Sequence, residues 1–286
     1  MSAKKKIVRR DFPKKKKQTF SLVKFVLLSI AGLLLVLILG TIYEYKDGFL
    51  YYLGFKTNKR MEKLSQVEKK IADIRIYEVL QKHENNAFGL DVSEYQSKIQ
   101  WDSISNLEEK FKVSFVFIRA TAGKNKKDTR FDENWENANK SNFIRGAYHY
   151  YRPNENSLQQ AENFIKTVKL KKGDLPPVLD IEKLPKEQSI DSLKVGLRRW
   201  LIKIEKHYKV KPIIYSGESY YKDFLKDEFS DYPFWIANYN LLRKEMEEDW
   251  QFWQFSEKAK IKGIKGLVDV NVYNGTTLKL RTITAN

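Results

Sequence analysis

The sequence has no cysteine and only three histidines in 286 residues. The first absence excludes disulfides and thiolate metal sites, although it excludes no compartment. The second leaves His83, His149 and His207 as the only imidazoles, one of them in a charged spacer, where a transition-metal site would want more. No metal and no organic cofactor is therefore expected. No Gly-rich phosphate loop follows the first strand-like run. No internal repeat or low-complexity tract stands out beyond one Lys-rich tail.

That tail nearly lacks acids. Residues 1–24 hold ten Lys/Arg against Asp11 alone, so this segment carries +9 of the chain's +17. A nucleic-acid partner is not expected, because over half of the charge precedes the segment that explains it. Charge of either sign is absent from residues 25–43, FVLLSIAGLLLVLILGTIY. A helix of that length spans about 28 Å, close to the hydrocarbon thickness of a bilayer. A buried core helix fits these flanks poorly. A cleavable signal peptide is the stronger rival, but its apolar part is normally shorter and ends in small residues, whereas this run ends in Thr41, Ile42, Tyr43 and Glu44. The reading adopted is an uncleaved single-pass anchor with a lipid bilayer around residues 25–43. The positive-inside rule puts the N-terminus in the cytoplasm and the rest outside it. Tyr43 and Tyr45, with Tyr51 and Tyr52, suit an interfacial aromatic belt.

Residues 44–87 read as a spacer, helical from Asn58 to about Lys82, with Met61, Leu64, Val67, Ile71 and Ile74 on one face. Packing of this stalk on the following domain, weak self-association of two copies through it, and a helix lying on the membrane are left open.

From Phe88 to the end the texture changes. Short apolar runs recur at Phe88–Val92, Val113–Ala120, Ile144–Tyr151, Pro177–Glu182, Lys211–Tyr215, Pro233–Ala237, Gln251–Phe255 and Leu267–Val272. Helical patterns fall between several of them: from a cap at Asn154 or Ser157 to about Leu170, from Ile190 to His207, and from Glu218 to about Phe229. Strands alternating with helices predict an α/β fold with a mostly parallel sheet. Eight strands in about 200 residues point to a shortened, irregular (β/α)8-type barrel, preceded by the membrane helix and helical spacer. The last three connections are too short for full helices. An open doubly wound sheet is the alternative.

In such a barrel the functional face lies at the C-terminal strand ends. Polar or aromatic residues end all eight runs: Asp91, Arg119, Tyr148 with His149 and Tyr150, Asp180 with Glu182, Tyr215, Trp235 with Asn238 and Tyr239, Trp253 with Gln254, and Asp269 with Asn271. The pair in P-P-V-L-D-I-E is the sharpest signal. Burying an unpaired carboxylate costs several kcal/mol, yet two sit one residue apart. Residues two apart on a strand share a face, so Asp180 and Glu182 both look into the mouth. Repulsion and partial desolvation would raise at least one pKa, which suits the proton donor of a glycosidase. Asp-x-Glu alone favours a salt-bridged pair at a strand end, with Lys183 as one partner. Arg119 reads equally as a partner of a nearby acid and as a substrate contact. His149, between two tyrosines, and Trp101, Trp135 and Trp200 read as packing residues.

The ordered motifs resolve the pair. They are G-L-D-V-S-E-Y-Q with I-Q-W (89–101), F-V-F-I-R-A-T-A-G (115–123), D-T-R-F (128–131), R-G-A-Y-H-Y-Y-R-P (145–153), P-V-L-D-I-E (177–182), P-I-I-Y-S (212–216), F-W-I-A-N-Y (234–239), Trp253-Gln254-Phe255-Ser256 and G-L-V-D-V-N (266–271). Residues 88–286 resemble a glycoside hydrolase family 25 lysozyme, a Chalaropsis-type muramidase. The resemblance implies a peptidoglycan hydrolase that cuts the β-1,4 bond between N-acetylmuramic acid and N-acetylglucosamine, with peptidoglycan glycan strands as partner. It implies Glu182 as general acid and Asp180 as helper at the 2-acetamido group or a water. Asp91 and Asp269 would be the other two acids of the site. Tyr148, Tyr215, Trp235, Tyr239, Gln254 and Arg119 would bind substrate. With the anchor, the catalytic domain would be periplasmic or extracellular, on a bacterial cytoplasmic (inner) membrane. The chain departs from the family at Ala122, where Glu is common, at Ser97, where Gly is frequent, and at Gln100, where Asp is frequent. A catalytically silent wall-binding or scaffolding domain on the same fold is the rival, disfavoured because all four acids are present.

Overall fold

The computed structural model describes residues 22–44, 66–104 and 106–285. The basic tail before residue 22 and most of the spacer lie outside the described residues, and so do Met61 and Leu64. The chain forms two units, one ending at Leu50 and one running from Tyr51 to Asn286.

The first unit contains one described helix, α1 (Leu22–Glu44). Its side chains are described at Phe25 and over 27–40, where Leu33, Leu35, Val36 and Leu39 are exposed. Among the described residues, no helix is long and apolar enough to cross a membrane.

In the second unit all eight predicted runs are strands. They are β1 (Phe88–Val92), β3 (Phe111–Ala122), β5 (Ile144–Tyr150), β6 (Val178–Asp180), β7 (Ile213–Gly217), β8 (Phe234–Ala237), β9 (Trp250–Ala259) and β10 (Val268–Tyr273). The two-residue strands β2 (Asn106–Leu107) and β4 (Lys126–Lys127) pair only with β3. Pairing runs β1-β10-β9-β8-β7-β6-β5-β3, and β1 pairs with β3 to close the ring. The expected barrel is therefore present, and the open sheet is not.

One strand departs from the expected direction. β10 is antiparallel to both β9 and β1. A parallel crossover needs a dozen or more residues, and the β9–β10 connection is shorter than that, so the chain turns back as a hairpin. Asp269 therefore reaches the barrel mouth from the start of its strand, directly opposite Asp91 on β1.

Alternation divides every strand into two faces. Phe115, Phe117, Val178, Ile213, Trp235, Phe252 and Tyr273 fill the barrel. Leu90, Ile118, Leu179, Ile214, Ile236 and Val270 face the outer layer. The interior is largely aromatic, which demands notches. A Cβ on Gly89 would sit 2.3 Å from the Phe115 ring, and one on Gly146 would sit 2.5 Å from the Phe117 ring. Only a residue without a side chain fits at either place.

The outer helices are few, as the short connections require. They are α3 (Phe131–Lys140), α4 (Ser157–Thr167), α5 (Ile190–Tyr208), α6 (Glu218–Tyr220, continuing as a π turn through Leu225) and α7 (Thr277–Arg281). The cap of α4 is neither Asn154 nor Ser157 but Asn156, whose side chain accepts from the amides of Leu158 and Gln159. The cap of α5 is Ser189, and its buried stripe is Leu193, Leu197, Trp200, Leu201 and Ile204.

The spacer helix α2 (Gln66–Lys82) packs on β9. Its predicted face is wrong. Ile71 and Ile74 are exposed, while Ala72, Arg75, Ile76, Val79 and Leu80 are buried. The aliphatic pattern misled because the seated face includes a small residue that allows close approach and an arginine that meets backbone carbonyls.

Candidate active site

Four carboxylates converge at the mouth, each delivered by strand parity. β1 points Gly89 and Asp91 inward, β6 points Val178 and Asp180, and β10 points Asp269, Asn271 and Tyr273. Glu182 lies just beyond the end of β6. The backbone of the segment that carries it is held by three hydrogen bonds. The amide of Ile181 donates to the Tyr215 carbonyl at 3.0 Å. The Ser216 hydroxyl donates to the Ile181 carbonyl at 2.6 Å, and the Tyr220 hydroxyl to the Lys183 carbonyl at 3.3 Å.

Asp91 anchors the floor. Its Oδ2 accepts from Gln254 Nε2 at 2.7 Å and from Asn271 Nδ2 at 2.8 Å. The orientation of both amides follows from their other partners. Trp235 Nε1, which can only donate, reaches Asn271 Oδ1 at 2.9 Å, which turns the Asn271 amine toward Asp91. The hydroxyl of Tyr215 donates to Gln254 Oε1 at 2.8 Å, and that of Tyr239 donates to the same oxygen.

Burial sets the electrostatics. It pushes Asp91 up to about 6, against the hydrogen bonds from Asn271 and Gln254 that favour its charge. Asp269 is raised well above the usual carboxylate range by burial first and then by the charges of Asp91 and Glu257. A hydrogen bond joins Asp91 and Asp269 and favours the charge on Asp91 and the proton on Asp269. Asp180 is likewise raised well above its ordinary value, by burial, then by Glu182 and Asp91. Its Oδ1 has no hydrogen-bond partner among the described residues. Glu182 also raises Tyr150, Tyr215 and Tyr239, after the larger effect of burial on each. These groups therefore share one pocket, acidic and partly protonated near neutrality. Among the described residues, no three metal-ligating side chains are placed to hold a metal ion.

The structure brings together most of the predicted residues, but in different parts. Tyr148, Tyr239 and Asp269 are half-buried and line the opening, and so is Tyr150, which carried no assigned role. Gln254 is buried behind Asp91. Trp235 is 2 % exposed and stacks on Phe117, with ring centroids 4.6 Å apart, so its face is covered and it meets the site through Asn271. Arg119 donates to Asp128 Oδ2 and Glu94 Oε1, both at 2.9 Å, within an ion network that also holds Lys126. The pairing reading of Arg119 is thus realised. Ala122 ends β3 and is buried.

His149 is a packing residue. Its Nδ1 meets Thr121 Oγ1 at 2.7 Å, its Nε2 meets Gln160 Oε1 at 3.1 Å, and its ring stacks on Trp200. Burial lowers it to about 4, so it is neutral. Trp101 and Trp200 are buried as expected, and Trp135 is half-buried.

Asn271 is the floor residue that had no assigned role. Its signal was its place two residues after Asp269, on the same strand face.

The description of the family Glycosyl hydrolases family 25 matches residues 90–264. Escherichia coli K12 YegX is 38% identical over 195 residues, covering 68% of this chain and 71% of that protein. Lysozyme M1 of Streptomyces globisporus is 33% identical over 213 residues, covering 69% and 71%. Among solved structures, the lysozyme of Streptomyces coelicolor superposes with a TM-score of 0.63 at 30% identity, covering 70% of this chain and 98% of that one.

Proposed function

This chain belongs to the glycosyl hydrolases family 25 and is a glycosidase, and we propose that it cleaves the β-1,4 bond between N-acetylmuramic acid and N-acetylglucosamine of peptidoglycan, with Glu182 as the general acid. The observation that carries the reading is the division of labour among the four acids. Glu182 stands at the pocket edge, half-buried on a rigid backbone segment, where a leaving oxygen can be reached. Asp180, beside it, presents a buried oxygen with no partner among the described residues. A substrate N–H or a water would satisfy that oxygen, which suits a helper at the 2-acetamido group. Asp91 on the floor and Asp269 at the opening share a proton, so they add negative charge near an oxocarbenium-like centre without a second full charge. Protonated Tyr148 and Tyr239 offer hydroxyls and ring edges to the sugars.

The purified full chain is expected to release reducing ends from purified peptidoglycan. If it pellets with the wall across an acid-to-neutral pH series and releases none, the wall-binding reading replaces this one.

We also propose that residues 25–43 anchor the protein in a bacterial cytoplasmic membrane, with residues 1–24 in the cytoplasm and the barrel outside it. Support comes from the uncharged run, the basic tail before it, and the exposed aliphatic side chains of α1. A reporter active only outside the cytoplasm, fused after Asn286, should then be active. A reporter active only inside would reverse the topology.

A further inference from the structure

Helix α2 precedes the residues matched to the family, which begin at 90. Among its described side chains it buries one charged group, Arg75, 5% exposed. Arg75 Nε donates to the Asn240 carbonyl at 3.0 Å, Nη1 to the Phe255 carbonyl, and Nη2 to the Asn238 carbonyl at 3.5 Å. The guanidinium also lies over the Trp253 ring, 5.9 Å from its centroid. Burial lowers its pKa to about 10, which leaves it charged at neutral pH.

The three carbonyls have one thing in common. Asn238 and Asn240 flank Tyr239, and Phe255 follows Gln254. The side chains of Tyr239 and Gln254 are bonded to each other, and Gln254 donates to Asp91. One rigid planar fork therefore ties the backbone on either side of Tyr239 to the backbone beside Gln254, directly behind the pocket wall. The rest of α2 holds the same loop. Glu78 pairs with Lys244 at 3.0 Å, Lys82 pairs with Glu245, and His83 Nε2 meets the Lys244 carbonyl at 3.1 Å. These contacts are exposed and orient more than they stabilise. Within the barrel the same two strand ends are joined by the Asn238 amide, which donates to the Gln254 carbonyl at 3.1 Å, and by Trp253 Nε1, which donates to the Asn238 carbonyl at 3.0 Å. Arg75 is buried and adds three donors to this junction from outside the barrel.

We propose that Arg75 is a positioning residue of the active site, fixing Tyr239 against Gln254 from a helix outside the barrel. The inference rests on the proposed muramidase function and extends it. The spacer next to the anchor becomes part of the catalytic unit, and a fragment cut after α2 would lack a support of its own pocket.

A double-mutant cycle on the full chain tests this. Arg75→Met keeps the aliphatic stem and removes every donor. It is expected to raise KM for soluble peptidoglycan fragments about tenfold, with kcat changed less. In a Tyr239→Ala background the same change should alter KM by less than about twofold, because the wall it positions is gone. Equal effects in both backgrounds would mean general destabilisation and would overturn the proposal. Hydrogen exchange without substrate gives a second readout. Amides over 238–256 should exchange faster in Arg75→Met, while those of β3 and β5 stay protected. Unchanged exchange over 238–256 would also overturn it. Should Arg75→Met fail to fold, Arg75→Lys carries both measurements, since one ammonium cannot reach three separated carbonyls. If the unsubstituted chain releases no reducing ends, the muramidase reading fails, and the exchange measurement still decides the positioning.

Discussion

Glu182→Gln is expected to lower reducing-end release by about 10²–10⁴-fold, the range spanned by general acid catalysis, while leaving the melting temperature nearly unchanged. The two halves have different causes. An amide matches the carboxyl in size but cannot pass a proton to the leaving oxygen. The fold changes little because glutamine keeps the size and the acceptor oxygen of the side chain, and the backbone of the segment is also pinned by the Ile181 amide, the Ser216 hydroxyl and the Tyr220 hydroxyl. Peptidoglycan digestion followed by a reducing-sugar assay reads the first half, and thermal unfolding reads the second. A Glu182→Gln protein that still digests the wall at the wild-type rate would remove Glu182 from the role of proton donor.

The barrel was legible in the sequence because a closed barrel writes itself in parity. Each strand has one face inside and one under helices, so eight short runs with alternating partners were visible before any contact was known. The mouth was legible for the same reason: Asp91, Tyr148, Asp180 and Tyr215 end strands on the inward parity. Direction was harder. β10 carries the same alternation whichever way it runs, and only the short link from β9 turns it antiparallel. Helix α3 stayed hidden because FDENWENANK buries Phe131, Asn134 and Ala138, one of them polar, and so lacks an apolar stripe. The covered face of Trp235 was equally invisible, since sequence cannot say whether an inward tryptophan meets a sugar or Phe117. Arg75 left no local signature at all. Its carbonyl partners lie far along the chain, and its neighbours Ile71 and Ile74 advertised the opposite helix face.

Asp180→Asn is expected to lose activity by about 10²–10³-fold, as when one preorganised group is removed from a site, and yet to gain stability at neutral pH. The stability follows from linkage. Burial, then the charges of Glu182 and Asp91, raises the folded-state pKa of Asp180 well above its unfolded value. The proton it holds therefore stabilises the fold fully below about pH 4, the unfolded carboxylate value. That contribution is lost as pH rises through the folded value. Asparagine has no proton to lose. The melting temperature of Asp180→Asn minus that of the wild type should thus widen from pH 4 to pH 8. Asp91, pushed up to about 6, and Asp269, also raised by burial, carry the same sign, so the variant keeps part of the slope. A gap that stays constant, or a variant less stable at pH 8, would show that Asp180 is not held protonated by its surroundings. The activity loss has the complementary cause. Asparagine keeps an acceptor oxygen for a substrate N–H, but it has no ionisable proton, so it can no longer take on charge or hold a proton as the 2-acetamido group or a water reacts. The burial that holds this proton in the free protein is the same feature that would let Asp180 respond to an acetamido sugar once bound.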